Sequence, residues 1–127
     1  MQSRTDEVTE QTAVNRPLGS RPGRPARETP EEALADACAQ ERRGGLAEAI
    51  ERYEAAVNLA EDRMNHSVLS AGLRHLAVVY HKCGDARRAR DLCRRSYRAA
   101  RRIPDALLAA EALNTLGVVE MESGALD

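Results

Sequence analysis

The sequence predicts an all-α fold, an α-helical solenoid of antiparallel helix pairs, and three observations indicate it. Gly44, Gly84 and Gly124 follow one another at intervals of 40 residues. Five segments of the chain carry apolar residues at the 3-4 spacing of amphipathic helices, and none alternates like a strand. Other residue types recur with the same 40-residue step: Ala37, Ala77 and Gly117; Leu73 and Leu113; Leu76 and Leu116; Ala49 and Ala89; Ala56 and Ser96; Ala60 and Ala100. A fixed period in this range is typical of stacked repeats that share one core.

Residues 1–28 are predicted to be a disordered tail. Pro17, Pro22 and Pro25, with Gly19 and Gly23, interrupt a polar stretch that cannot bury enough apolar surface to offset the entropy of ordering. The repeat domain is predicted to occupy residues 29–127, with repeats at about 30–64 and 65–104 and a partial repeat at 105–127.

The first two helices have clear boundaries. Thr29, Pro30 and Glu32 form a capping box with proline at the first helical position, which predicts a helix from residue 30 to Arg43, ending at the glycines 44–45. A second helix is predicted over 46–62.

The remaining three helices follow the same rules. Asn65 or Ser67 can cap the third, which ends at Gly84, and Asp85 caps the fourth, which runs to about residue 102. Pro104 and Asp105 open the fifth, which ends at Gly124. We expect each turn glycine to adopt the left-handed conformation that closes a helix.

The third repeat has a first helix but no second one. We therefore expect Leu113, Leu116 and Val119 to lack the helix that would cover them. Two interpretations remain open: the chain is a truncated or front part of a longer protein, or the uncovered stripe pairs with another copy.

Residues 73–85, LRHLAVVYHKCGD, followed by Ala89, Cys93 and Ser96, resemble a tetratricopeptide repeat (TPR). The resemblance is to the long-helix variant, since the common period is about 34 residues. It covers about residues 30–127. Three positions depart from the pattern: Asp36 replaces a leucine, and Glu120 and Cys93 replace aromatic residues.

The resemblance implies a non-catalytic scaffold that binds protein or peptide in a concave groove lined by the first helix of each repeat, within a bacterial regulatory or signalling protein. It implies these groove residues in the second and third repeats: Arg74, Val78, His81, Lys82, Asn114, Val118, Met121 and Glu122. The resemblance also implies groove residues at Leu34, Cys38, Glu41 and Arg42 in the first repeat and at Glu111 in the third. Valine at position 78, where a carboxylate clamp needs asparagine, argues against a C-terminal carboxylate ligand.

The fourth helix carries a second candidate surface, its arginine face. Its arginines fall within about 160° of the helix circumference, and clustered arginine is typical of phosphate contact. The alternative function is therefore a nucleic-acid or polyanion-binding accessory. A solvated face is favoured instead, because the net charge is −1 and Lys82 is the only lysine among 19 basic residues, as in arginine-biased coding. The polyanion candidates are Arg87, Arg94, Arg95, Arg98 and Arg102.

The sequence indicates neither an enzyme nor a cofactor or metal site. His75, His81 and Cys83 are six and two residues apart on one helix, which places them on different faces. No nucleophile–base pair or phosphate loop is recognisable. With three cysteines, no leader and no membrane span, we expect a soluble cytoplasmic protein.

Overall fold

A computed structural model describes residues 28–122, which form five α-helices and, within that range, no strand. The helices are α1 (Pro30–Arg42), α2 (Leu46–Asp62), α3 (His66–Lys82), α4 (Ala86–Ala100) and α5 (Ala106–Glu122). The all-α class and the five helices are confirmed. The predicted tail, apart from Glu28, lies outside the described residues, as does Gly124.

Four of the five helices begin at a polar capping residue that the sequence identifies, whereas α2 begins after Gly45 without a side-chain cap. In α1 the backbone N–H of Glu32 donates to the Thr29 hydroxyl (3.1 Å), and that of Thr29 donates to the Glu32 carboxylate (3.0 Å). Asn65, and not Ser67, caps α3 by accepting from the N–H of Val68 at 3.0 Å. Asp85 and Asp105 cap α4 and α5 in the same way.

The turns inside the first two repeats depend on glycine. Gly44 and Gly84 have φ angles of +84° and +87°, the left-handed region expected for them. A third left-handed residue, Met64 (φ 55°), links α2 to α3. It was not predicted, because a methionine carries no signal for that conformation.

The helices pack in two layers. Each helix contacts the next along the chain, and α3 also contacts both α1 and α5. We call α1, α3 and α5 the A layer, and α2 and α4 the B layer. This arrangement of helix pairs is that of a helical repeat, as the 40-residue period predicts.

Small side chains let the layers approach closely. Ala37, Ala49, Ala77 and Ala89 are fully buried in the core. Ser70 of α3 and Ser96 of α4 are buried as well, and each hydroxyl donates to the other residue's carbonyl oxygen, at 2.9 Å and 2.7 Å. Both buried hydroxyls are thus satisfied, and they fix the register of α4 on α3.

The expectation for the third repeat is partly wrong. Val119 is 1% exposed, and Leu116 is partly buried against the core. Only Leu113, 50% exposed, lacks cover as expected. The reason is that α5 turns Ala112 and Val119 toward the core, whereas Leu113 faces away from it.

Candidate functional site

Six of the predicted groove residues form three side-chain pairs within the A layer. Arg74 lies 3.7 Å from Glu111, His81 lies 2.5 Å from Glu122, and Lys82 lies 2.8 Å from Glu41. The first two pairs join α3 to α5, and the third joins α3 to α1. The structure therefore brings these side chains to one face of the A layer, where each basic side chain of α3 is paired with a carboxylate on α1 or α5.

A polar cluster lies under this face, around Tyr53. The Tyr53 side chain is buried, and its hydroxyl donates to Glu41 at 2.6 Å and contacts the Cys38 sulfur at 3.4 Å. Its ring stacks on that of His75, with 5.6 Å between centroids and 3° between planes. The residue thus connects the B layer to the charged face of the A layer.

The environment fixes the protonation of this cluster. Burial alone would raise the pKa of Glu41, but hydrogen bonds from Lys82 and Tyr53 bring it below its ordinary value. Burial, together with the hydrogen bonds to Cys38 and Glu41, raises the pKa of the Tyr53 hydroxyl. Burial and the charge of Arg74 lower the pKa of His75. At neutral pH the cluster holds an ionised Glu41 beside a neutral tyrosine and a neutral histidine.

The remaining groove candidates form an exposed, largely apolar row. Val118 is 44% exposed and Met121 is 70% exposed on α5. Asn114 is exposed on the same helix, and Val78 is half-buried on α3. Beyond its ion pairs, this side of the A layer therefore offers apolar contact surface.

The arginine face of α4 is partly neutralised. Arg94 lies 3.5 Å from Asp91 and 3.8 Å from Glu120, and Arg95 lies 3.7 Å from Glu61. Arg87, Arg98 and Arg102 are exposed, and no ion pair to them exists within residues 28–122.

Two tyrosines also contact this face, which the sequence reasoning missed. The Arg88 guanidinium lies 4.8 Å from the centroid of the Tyr80 ring, and that of Arg101 lies 5.7 Å from the Tyr97 centroid. Tyr80 is on α3, so only its folded position reveals this contact. Tyr97 is the one aromatic residue within α4 itself.

A groove of about 540 Å³ lies where the C-terminal end of α4 meets the beginning of α3. Four arginines line it, 95, 98, 101 and 102, together with Glu61, His66 and Leu69. Its lining therefore carries an excess of positive charge, with four arginines against Glu61.

No three His, Cys, Asp or Glu side chains within residues 28–122 come together in a way that could hold a metal ion. The three cysteines are unpaired, and burial raises the pKa of the Cys93 thiol to about 11. None of the helices in the described range is both long enough and apolar enough to cross a membrane.

No protein-family model and no curated protein matches the chain. The packing of its helices and the chemistry of its surfaces therefore have to indicate its function.

Proposed function

We propose that the protein is a non-catalytic, TPR-like scaffold that binds a protein or peptide across the A layer. One observation carries the proposal: Val118 and Met121 form an exposed apolar surface on α5, the helix whose Glu111 and Glu122 pair with side chains of α3. Helix surfaces of this kind receive peptide segments through apolar anchors. The flexible side chain of Met121 can adapt to different ligand shapes.

The side-chain pairs of the A layer determine which kind of ligand this face would prefer. Since Arg74, His81 and Lys82 already have carboxylate partners, a charged ligand would have to displace Glu111, Glu122 or Glu41. An apolar segment avoids that exchange. We therefore expect a ligand that places apolar side chains on Val78, Val118 and Met121.

A library of random 12-residue peptides, panned on the full chain, tests this proposal. Dissociation constants of the selected peptides would be measured by calorimetry for the wild type and for a V118E/M121E variant. We expect the variant to weaken binding at least tenfold, about 1.4 kcal/mol.

The matched control is M64E, because Met64 is as exposed as Met121 but lies in the α2–α3 link. It should leave the affinities unchanged. Equal affinities for the wild type and V118E/M121E, or the selection of no peptide, would overturn the proposal.

A second candidate, a polyanion-binding accessory, is favoured by the groove lined by four arginines. Its test is a salt titration of a fluorescent single-stranded DNA 20-mer with the full chain. Arginine–phosphate contacts predict a log–log slope of about −0.7 per contact. Replacing Arg95, Arg98 and Arg102, which line the groove, by alanine should then abolish binding. A shallow slope, or binding unchanged by the replacement, would exclude this function.

A further inference from the structure

The third repeat exposes a surface that the first two repeats bury. Positions Ala110, Leu113 and Gly117 of α5 come 40 residues after Ser70, Leu73 and Ala77 of α3, and 80 residues after Pro30, Ala33 and Ala37 of α1. All three positions are buried in α1 and in α3. In α5, Ala110 is exposed, Leu113 is 50% exposed and Gly117 is only half-buried.

In the second repeat the equivalent surface is covered by α4. A stripe of small residues on α4 packs against α3, and the paired hydroxyls of Ser70 and Ser96 lie at this contact. The members of that stripe are fully or almost fully buried: Ala89, Cys93, Ser96 and Ala100. The fold thus shows what such a surface accepts: a helix with small side chains at 4-3-4 spacing.

An open groove of about 540 Å³ between α4 and α5 extends the uncovered surface. Apolar side chains line most of it: Tyr97, Ala100, Ile103, Ala109 and Leu113. We call this groove, with Ala110, Leu113 and Gly117, the α5 seat.

The charge at the rim of the α5 seat differs from that in the second repeat. In the second repeat, Glu61 at the end of α2 lies 3.7 Å from Arg95 of α4, the covering helix. The residue 40 positions after Glu61 is Arg101, which is exposed and lines the groove. A helix seated on α5 in the manner of α4 would therefore gain from a carboxylate where α4 has Arg95.

We propose that the α5 seat binds one amphipathic helix of a second protein, with small residues on its buried stripe and a carboxylate facing Arg101. Another copy of this chain offers no helix with both features within residues 28–122. The small stripe of α4 is already buried on α3, and α4 carries arginine at the matching position. The α5 helix exposes Ala106 and Ala110, but it has Ala112 and not a carboxylate at that position. The seat is separate from the Val118 and Met121 row, so this inference stands without the proposed function.

Two synthetic peptides of residues 86–100 test the inference against the full chain: the natural sequence and its R95E variant. Calorimetry should show that the R95E peptide binds more tightly by about threefold or more, since it replaces a like charge by an opposite one. A chain carrying R101E should reverse the preference, whereas one carrying R87E should keep it. Equal binding of both peptides to the wild type, or no binding, would overturn the proposal.

Gly117 gives an independent test of where the peptide binds. A Cβ at Gly117 would meet no atom within 4 Å, so G117L is compatible with the fold. The leucine side chain would nevertheless occupy the space on α5 that is equivalent to the space beside Ala77 on α3, where α4 packs. We expect G117L to weaken R95E-peptide binding at least tenfold, and A47L on the exposed side of α2 to leave it unchanged. Unchanged binding to G117L, or a dimer of the chain that G117L dissociates, would contradict the assignment.

Discussion

Tyr53 links the core of the molecule to its charged face. Its ring is buried among the helices, whereas its hydroxyl reaches the carboxylate of Glu41, which also accepts from Lys82. The hydrogen bond joins residues 12 positions apart, on α1 and α2. The sequence could place Glu41 on a helix face and Tyr53 at the usual aromatic position. It could not show their contact, because that depends on how the two helices rotate against each other.

The first prediction concerns this hydrogen bond. Tyr53→Phe keeps the ring but removes the donor to an ionised carboxylate, and such bonds are worth about 1.5–3 kcal/mol. Because Glu41 retains Lys82, we expect a loss near the lower end, about 1–2 kcal/mol, in urea unfolding. Tyr97→Phe, whose exposed hydroxyl accepts only from Arg101, should cost less than about 0.5 kcal/mol. Equal losses for the two variants would show that the Tyr53 hydroxyl contributes no more to stability than the exposed hydroxyl of Tyr97.

The second prediction concerns pH. The pKa of His75 is lower in the folded chain than its ordinary value of about 6.5. Between about pH 6.5 and the folded pKa, His75 is therefore protonated in the unfolded chain but neutral in the folded chain. The stability therefore falls as the pH falls below about 6.5. Glu41, whose folded pKa is also lowered, adds a further loss below about pH 4.3.

Urea unfolding at a series of pH values would check the histidine contribution. In H75Q the loss of stability between about pH 6.5 and 5 should be smaller than in the wild type. The charged groups that face His75 are Arg74, Glu41 and Glu111. Because the pKa of Glu41 lies below its ordinary value, its titration does not account for this loss. An unchanged slope in H75Q would contradict the assignment.

The helix boundaries were largely readable from the sequence, because capping side chains and turn glycines act locally. Thr29, Asn65, Asp85 and Asp105 cap the helices whose starts they indicate. The link at Met64 was missed, since only its neighbours impose the left-handed conformation there. The inward face of α5 was partly misassigned, because α5 is apolar on two sides and only its packing against α3 and α4 decides which side is buried.

The third prediction compares two glycines in different elements. Gly84→Ala forces a side chain into a φ of +87°, which costs about 1–2 kcal/mol even though no atom is in the way. Gly117→Ala in the middle of α5 is also free of contacts, and there alanine should stabilise by up to about 1 kcal/mol. Thermal or urea unfolding of both variants gives the comparison. Shifts of the same sign would contradict the turn geometry or the helix at Gly117.

For the whole molecule, the 40-residue period predicted the stacking of helix pairs correctly, because each repeat position has the same packing role. Leu73 and Leu113 are an exception to this equivalence of repeat positions. Both are leucines at the same repeat position, but Leu73 is buried in α3 and Leu113 is half exposed in α5. The sequence could name the candidate groove residues, but it could not show that Arg74, His81 and Lys82 are paired across the A layer. Membership of the TPR family and the identity of a partner stay predictions.

The asymmetry between the second and third repeats supports both proposals, because each needs accessible apolar surface on α5. It can be measured as solvent paramagnetic relaxation enhancement of the leucine methyl groups, with a soluble nitroxide added to the dilute full-length chain. We predict strong enhancement for the methyls of Leu113 and protection for those of Leu73, which is 2% exposed. Equal protection of the two leucines at every protein concentration would contradict the account.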